Sequence, residues 1–358
     1  MKAVVLVGGE GTRLRPLTLS APKQMLPIVG VPMIERVLAH LAAHGVDEAI
    51  LSLGYLPDAF MKAYPDGHAA GIDLTYAVEP EPLDTAGAVR FAALAGGVDD
   101  TFVVVNGDVL TDMDLSALIA FHRERKAEGT IGLHPVPDPS AFGVVPTDSE
   151  GRVTAFVEKP PRDEAPTNQI NAGTYVLEAS VLERIPANVR VSIERETFPA
   201  MVRNGVLFAL SDDEYWLDTG TPSAYLQANH DLISGRRGKE LAPGLEDRGD
   251  GVYVEGESAI LGEVRGPSAI FAGCEIDLTA RVERSVLGPG TVIGPGAVVI
   301  DSVVMEGGHV ASNASVSGSV LGPHATVGQR GDVRPVSVLG AHAMVASGTM
   351  VDGERVAG

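Results

Sequence analysis

Residues 286–316 read VLGPGTVIGPGAVVIDSVVMEGGHVASNASV, with Val286, Val292, Val298, Val304, Val310 and Val316 at every sixth position. The same spacing precedes this stretch in Ile270, Ile276 and Val282, and follows it in Leu321, Val327, Val333, Leu339, Val345 and Val351. Gly, often followed by Pro, stands near many of these residues, as in Leu287-Gly-Pro and Leu321-Gly-Pro. One aliphatic residue per six is the pattern of a β-helix, in which each face sends one side chain to the axis. A sandwich of short strands would alternate with period two and would not single out every sixth position over this length. The breaks in register after Val282 and after Val316 read as loops or irregular coils.

Upstream the pattern changes. Val4–Val7 reads as a buried strand, and a helix starting at Pro32 carries Ile34, Val37, Leu38 and Leu41 at helical spacing, with Gly45 at its exit. Strands at Ala49–Leu53, Asp73–Val78 and Thr101–Val105 alternate with helices at Ala86–Leu94 and from Asp114 to Lys126. Strands separated by helices of this length predict right-handed crossovers and a mainly parallel sheet. Val144–Pro146 and Val153–Glu158 flank the turn Asp148–Gly151 as a hairpin. Ser234–Gly251 is rich in Gly and charge and poor in apolar residues, which makes it a linker. The expected division is an α/β domain over 1–233, a linker over 234–251 and a β-helix over 252–358.

The chain has 358 residues, and 27 Lys and Arg face 47 Asp and Glu, a net charge of −20. One domain per roughly 100–200 residues makes this a two-domain length. Broad binding to nucleic acid or to an anionic membrane needs clustered Lys and Arg, so both partners are excluded. A single cysteine, Cys274, rules out an intramolecular disulfide and fits a reducing, cytoplasmic location. The apolar run Ala3–Val7 is too short for a secretory core, and no stretch reaches the ~18 apolar residues of a membrane helix.

The first strand ends in Gly8-Gly-Glu-Gly-Thr-Arg13. This is neither G-x-G-x-x-G nor a P-loop, so dinucleotide binding and ATP hydrolysis lack support. Glycines after a strand let backbone N–H groups approach an oligophosphate, and Arg13 supplies charge. An ordinary tight β–α turn would look the same. Ten residues on, Pro22-Lys23-Gln-Met-Leu-Pro27 places a second cation in a loop stiffened by two prolines.

These two motifs resemble the sugar-1-phosphate nucleotidyltransferases. Further motifs agree and follow in that family's order: Glu81-Pro-Leu-Asp-Thr-Ala-Gly-Ala88, Asn106-Gly-Asp-Val109, Phe142-Gly-Val-Val145, Phe156-Val-Glu-Lys-Pro160, Ile170-Asn-Ala-Gly173 and Trp216-Leu-Asp-Thr-Gly220. Ser192-Ile-Glu-Arg-Glu and Phe198-Pro are most similar to mannose-1-phosphate guanylyltransferases. The resemblance implies a Rossmann-like domain followed by a left-handed β-helix of hexapeptide repeats. It implies transfer from an NTP, favoured as GTP, to a sugar-1-phosphate, favoured as mannose-1-phosphate. Glucose-1-phosphate or a cyclitol phosphate with another NTP is the alternative, because Gln24 replaces the usual Pro and Asp84 stands where Gly precedes Thr-Ala-Gly.

The chemistry asks for little proton transfer. The nucleophile is a phosphate with a second pKa of about 6, already ionised near neutral pH. Cations and positioning should therefore supply the catalysis. By resemblance, Arg13, Lys23 and Lys159 are the catalytic cations. Gly8, Gly9, Gly11, Thr12, Asn106 and Asp108 belong to the nucleotide site, with Thr85 and Gly87 lining the base pocket. Glu79 or Glu81 accepts from a guanine edge, or else belongs to a solvated acidic loop. Gly143, Glu158, Lys159, Asn171 and Asp218 take the sugar phosphate. Asp108 and Asp218 hold Mg²⁺, a hard cation that commonly takes one or two carboxylates plus phosphates.

Other candidates read as structural. His40 and His44 lack the intervening Glu of a metalloprotease helix, and Asp212–Glu214 is a solvated turn. His309, His324 and His342 lie in the repeats, where β-helix acyltransferases carry a catalytic His; turn or surface roles are the simpler reading. A non-catalytic nucleotide-sugar sensor is the alternative of another class. Retention of Arg13, Lys23, Asp108, Lys159 and Asp218 opposes it. A homo-oligomer is expected, since β-helices often stack between subunits.

Overall fold

The computed structural model describes residues 1–238 and 241–358, so Lys239 and Glu240 of the expected linker lie outside the described residues. The chain forms two compact units. One comprises Met1–Gly9 and Ile34–Leu217, the other Glu10–Met33 and Asp218–Gly358. The segment 10–33 thus joins the unit that contains the repeats.

In the first unit β1 (Lys2–Leu6), β2 (Glu48–Leu53), β3 (Ile72–Val78) and β4 (Phe102–Asn106) run parallel in the order β3-β2-β1-β4. Helices α1 (Met33–Ala43), α2 (Pro57–Ala63) and α3 (Asp84–Ala95) connect them. The chain then passes through α4 (Leu115–Arg125), capped by Asp114, which accepts the Ala117 amide at 2.9 Å. Beyond α4 the sheet changes character. It continues through β5 (Gly129–Pro135), β6 (Gly143–Val144), β7 (Val157–Glu158), β8 (Gln169–Leu177) and β9 (Leu207–Ser211), in which β8 is antiparallel to β4, β5 and β6. The parallel pairing is therefore concentrated in the first 106 residues. The hairpin read from sequence is present, with β6 against β7 and Thr147 bridging Val153. Val4, Ile50, Val104, Ile131, Tyr175 and Phe198 belong to the buried core.

The repeats form three parallel sheets, the architecture of a hexapeptide β-helix. Its axis is filled by Ile270, Ile276, Val282, Leu287, Ile293, Val299, Val304, Val310, Val316, Leu321, Val327, Val333, Leu339, Val345 and Val351. Three positions differ from the sequence reading. Val286, Val292 and Val298 are off the axis, and their neighbours Leu287, Ile293 and Val299 take those places. The ladder pairs Ile270 with Leu287 and Leu287 with Val304, so one coil is 17 residues. Two steps of six and one of five close these coils, with the short step at Val282–Leu287, Val299–Val304 and Val316–Leu321; the coil from Leu321 to Leu339 takes 18 residues, its corner Val333–Leu339 being six. The breaks are regular corners, not loops. Both members of each adjacent pair are aliphatic, so periodicity by itself could not choose between them.

A buried serine column occupies the short corner: Ser268, Ser285, Ser302, Ser319 and Ser337. Ser302 Oγ donates to the Ile300 carbonyl at 2.7 Å and accepts the Ser319 amide at 3.2 Å. Cys274 packs in the core, its thiol donating to the Gly288 carbonyl at 3.2 Å, and burial pushes its pKa up. His324 and His342 occupy left-handed turn positions and stack at 5.1 Å. Among the described residues no helix is long and apolar enough to cross a membrane.

Candidate active site

In the first unit, the order β3-β2-β1-β4 puts a topological switch between β1 and β4, where ligands collect at strand ends in open α/β sheets. Gly8 and Gly9 leave β1 there, and Gly107 and Asp108 leave β4. Gly107 donates to the Leu6 carbonyl at 3.0 Å, and a Cβ on it would meet Val7 Cγ1 at 2.6 Å. Close packing of the two strand ends thus requires glycine. Asp108 is half-buried. Asn106 packs against Gly173, where a Cβ would stand 2.5 Å from its amide nitrogen.

Glu79 is fixed from both sides. Ser52 Oγ donates to its Oε1 at 2.9 Å and the Leu83 amide to its Oε2 at 3.1 Å. A Cβ on Gly8 would meet that Oε1 at 3.4 Å, so Glu79 supports the glycine turn, whereas Glu81 is exposed. Thr85 and Gly87 face protein. The Thr85 hydroxyl donates to Glu194 at 2.7 Å, and a Cβ on Gly87 would stand 2.9 Å from the Val189 carbonyl. Asp84 opens α3 with φ +60 and is exposed. The left-handed backbone explains why glycine suits this position and why Asp, one of the few tolerated alternatives, replaces it.

At the β6–β7 hairpin, Lys159 also has a positive φ, +50, and its amide donates to the Phe142 carbonyl at 3.0 Å. Its Nζ lies 3.7 Å from Glu158 Oε1. A Cβ on Gly143 would meet Phe156 at 2.7 Å and Glu158 Oε2 at 3.0 Å, so this glycine admits the ring and the carboxylate. Asn171 donates to Tyr175 Oη at 2.9 Å and accepts the Gly173 amide at 3.0 Å, which fixes its amide plane. Burial and the Glu194 charge push the Tyr175 phenol up, so it stays protonated. The Trp216 indole N–H donates to the Ala172 carbonyl at 2.9 Å, and its ring lies edge-on to Phe142. Ser52, Tyr175, Glu194 and Trp216 were absent from the predicted set; only Trp216 and Glu194 stood in a quoted motif.

In the second unit, residues 10–33 fold as three single-turn 3₁₀ segments, Thr12–Leu14, Leu17–Leu19 and Lys23–Met25, plus a two-residue hairpin. Gly11 has φ +61, and a Cβ on it would meet Thr18 at 3.0 Å and Lys23 at 3.2 Å, so the two motifs close on each other through this glycine. Thr12 is exposed. Arg13 Nη2 lies 3.7 Å from Asp218 Oδ2, while Asp218 Oδ1 accepts the Gly220 amide at 2.8 Å. Gln24 is buried, and among the described residues its Oε1 has no hydrogen-bond partner. Its departure from the family pattern is thus directed into the loop. No group of three or more His, Cys, Asp or Glu among the described residues forms a metal cage. Asp108 in the first unit and Asp218 in the second are each partly exposed hard-oxygen donors of the kind that Mg²⁺ takes alongside phosphate and water.

A nucleotidyl transferase family profile matches residues 2–235, and a GMPPB C-terminal domain profile matches residues 264–358. A mannose-1-phosphate guanylyltransferase of Mycobacterium tuberculosis is 43% identical, covering 86% of this chain and 82% of that protein. A UTP–glucose-1-phosphate uridylyltransferase of Synechocystis is 34% identical, covering 85% of this chain and 87% of that protein. The crystal structure of HddC from Yersinia pseudotuberculosis complexed with GMP-PN matches with a TM-score of 0.56 and 30% identity, covering 64% of this chain and 98% of that one.

Proposed function

Because the chain belongs to the nucleotidyl transferase family, we propose that it transfers guanylyl from GTP to mannose-1-phosphate, releasing pyrophosphate and forming a nucleotide sugar. A sugar-phosphate oxygen attacks the α-phosphorus; the new P–O bond forms as the bond to the pyrophosphate oxygen breaks. The nucleophile enters as an anion, so no side chain takes a proton. The barrier lies in gathering anions and in charge on the leaving group, which favours positioned cations.

The observation that carries this reading is the state of two cations. Arg13 and Lys159 are 60% and 59% exposed, and each has one carboxylate at 3.7 Å, beyond hydrogen-bond range. Neither is locked by its neighbour, so each can turn to a phosphate. Arg13 and Lys23, with the turns at Gly8, Gly9, Gly11 and Thr12 and with Asn106, serve the triphosphate. Glu158, Lys159 and Asn171 serve the sugar phosphate. Asp108 and Asp218 are proposed as ligands of Mg²⁺, which when bound neutralises charge on the triphosphate and the departing pyrophosphate. The M. tuberculosis relative supports guanine and mannose, and the Synechocystis relative favours uridylyl transfer to glucose-1-phosphate as the second reading. A cytoplasmic homo-oligomer is proposed with either.

The test is a pyrophosphate-release screen that crosses GTP, ATP, dTTP and UTP with several sugar-1-phosphates. The highest kcat/KM is expected for GTP with mannose-1-phosphate. A preference for UTP with glucose-1-phosphate supports the second reading, and no release with any pair rejects both.

A further inference from the structure

The loop that carries Arg13 and Lys23 has little structure of its own, yet it rests on a specific feature of the β-helix in the same compact unit. The ladder pairs Ile270 with Leu287, Leu287 with Val304, Val304 with Leu321 and Leu321 with Leu339. The residues that follow these, Phe271, Gly288, Met305, Gly322 and Gly340, therefore form one column along a corner of the helix. Their amides continue the ladder, as Phe271 donates to the Leu287 carbonyl at 2.9 Å and Gly340 to the Val356 carbonyl at 2.8 Å.

Both ends of the column meet the loop. A Cβ on Gly30, whose φ is +76, would lie 2.2 Å from Phe271 Cζ, so the ring occupies the space beside that turn. At the other end, a Cβ on Gly340 would stand 3.1 Å from both Cβ and Cγ of Pro16. Four ladder steps, about 19 Å, separate Phe271 from Gly340. The segment between Pro16 and Gly30 is thus held at two points on a rigid rod. Helix α5 (Pro222–Ile233) adds a third hold, because Asn229 Oδ1 accepts the Val29 amide at 2.8 Å.

We propose that the β-helix is a positioning element for the phosphate-handling loop, with Phe271 and the Pro16–Gly340 contact as its fixed points. The inference rests on the reading of Arg13 and Lys23 as triphosphate cations. Single-turn 3₁₀ segments have no ladder with which to fix a guanidinium or an ammonium. Misplacing a catalytic group by about 1 Å costs on the order of 10²-fold in rate. The rod supplies the fixity that the loop lacks, and a change at the β-helix corner is transmitted to nucleotide handling.

The experiment uses the full chain and pyrophosphate release with each substrate varied in turn. Phe271→Ala is expected to lower kcat/KM for the NTP by about tenfold or more, with the sugar-phosphate KM unchanged within about twofold. Phe271→Leu restores most of the loss, and Gly340→Ala, which displaces Pro16, shifts the NTP constant in the same direction by less. Val316→Ala, an axis residue outside the column, is the stability control: it lowers the melting temperature and leaves the NTP constant in place. Unchanged NTP kinetics in a folded Phe271→Ala protein overturn the inference, as does an equal loss in Val316→Ala. If Phe271→Ala fails to fold, Gly340→Ala decides, and wild-type NTP kinetics there overturn the inference. Arg13→Ala separates the two layers. Loss of turnover there with normal kinetics in Phe271→Ala rejects the positioning role alone, whereas unaffected turnover in Arg13→Ala rejects the cation reading and the inference with it.

Discussion

The Thr85 hydroxyl donates to Glu194 Oε2 at 2.7 Å and accepts the Ile193 amide at 2.8 Å. Ser192 Oγ donates to the same carboxylate oxygen at 2.8 Å. Two hydroxyls on one carboxylate tie the start of α3 to the π-helical turn Ile193–Thr197. A residue of the Asp-Thr-Ala-Gly motif thereby acts as a tether within the fold.

Thr85→Val removes a donor to a carboxylate and the acceptor of an amide. Leaving such groups unpaired costs about 1–3 kcal/mol. Urea denaturation should show a loss of that size, with the preference among GTP, ATP, dTTP and UTP unchanged. A switched base preference at wild-type stability would return Thr85 to the base pocket.

Lys159→Ala removes a cation that the proposed mechanism sets against phosphate. Loss of one preorganised donor of this kind costs about 10²–10³ in kcat. Because Lys159 is exposed and adopts a left-handed backbone, the substitution should leave the melting temperature nearly unchanged. Wild-type pyrophosphate release would remove Lys159 from the mechanism. Asp218→Asn is expected to lower turnover in the same assay and to weaken the dependence on Mg²⁺.

Ser302→Ala should destabilise the β-helix by about 1–3 kcal/mol, because the Ser319 amide would lose its buried partner. Chemical denaturation of the full chain measures it. A change below about 0.5 kcal/mol, the ordinary range of surface substitutions, would mean that the serine column contributes nothing specific to the corner.

His122 gives stability a pH dependence. It is buried between Thr130, 2.8 Å from Nδ1, and Glu178, 2.9 Å from Nε2, and burial holds its pKa below the usual histidine value. In the unfolded chain it titrates near 6.5. Between the two pKa values the unfolded state binds more protons, so this contribution is complete above about 6.5 and is lost as pH falls through the folded value. Unfolding free energies at pH 7.5 and 5.5 should differ more in wild type than in His122→Gln. Equal slopes would assign the acid sensitivity elsewhere.

Much of the fold was legible in the residues because burial imposes periodicity. Ile34, Val37, Leu38 and Leu41 mark one face of α1, and the six-residue spacing from Ile270 to Val351 marks a rod with an apolar axis. The motif order likewise announced a nucleotidyl transferase, since short Gly-rich and Lys- or Asp-bearing turns are local features. What periodicity could not resolve was which of two adjacent aliphatics points inward, as at Val286 and Leu287. Backbone pairing between coils makes that choice, as where Ile270 pairs with Leu287 and not with Val286.

The partners of the motif residues were set by tertiary structure. Nothing local in Thr85 points to Glu194, 109 positions away, nor in Asn171 to the Tyr175 hydroxyl. Residues 10–33 read in sequence as part of the first domain, but in the folded chain they share a compact unit with the β-helix. The physical reason is that composition and spacing record which side chains avoid water and which carry charge. Contacts such as Gly30 with Phe271 depend on how distant segments pack, and the pattern of either segment alone does not contain them.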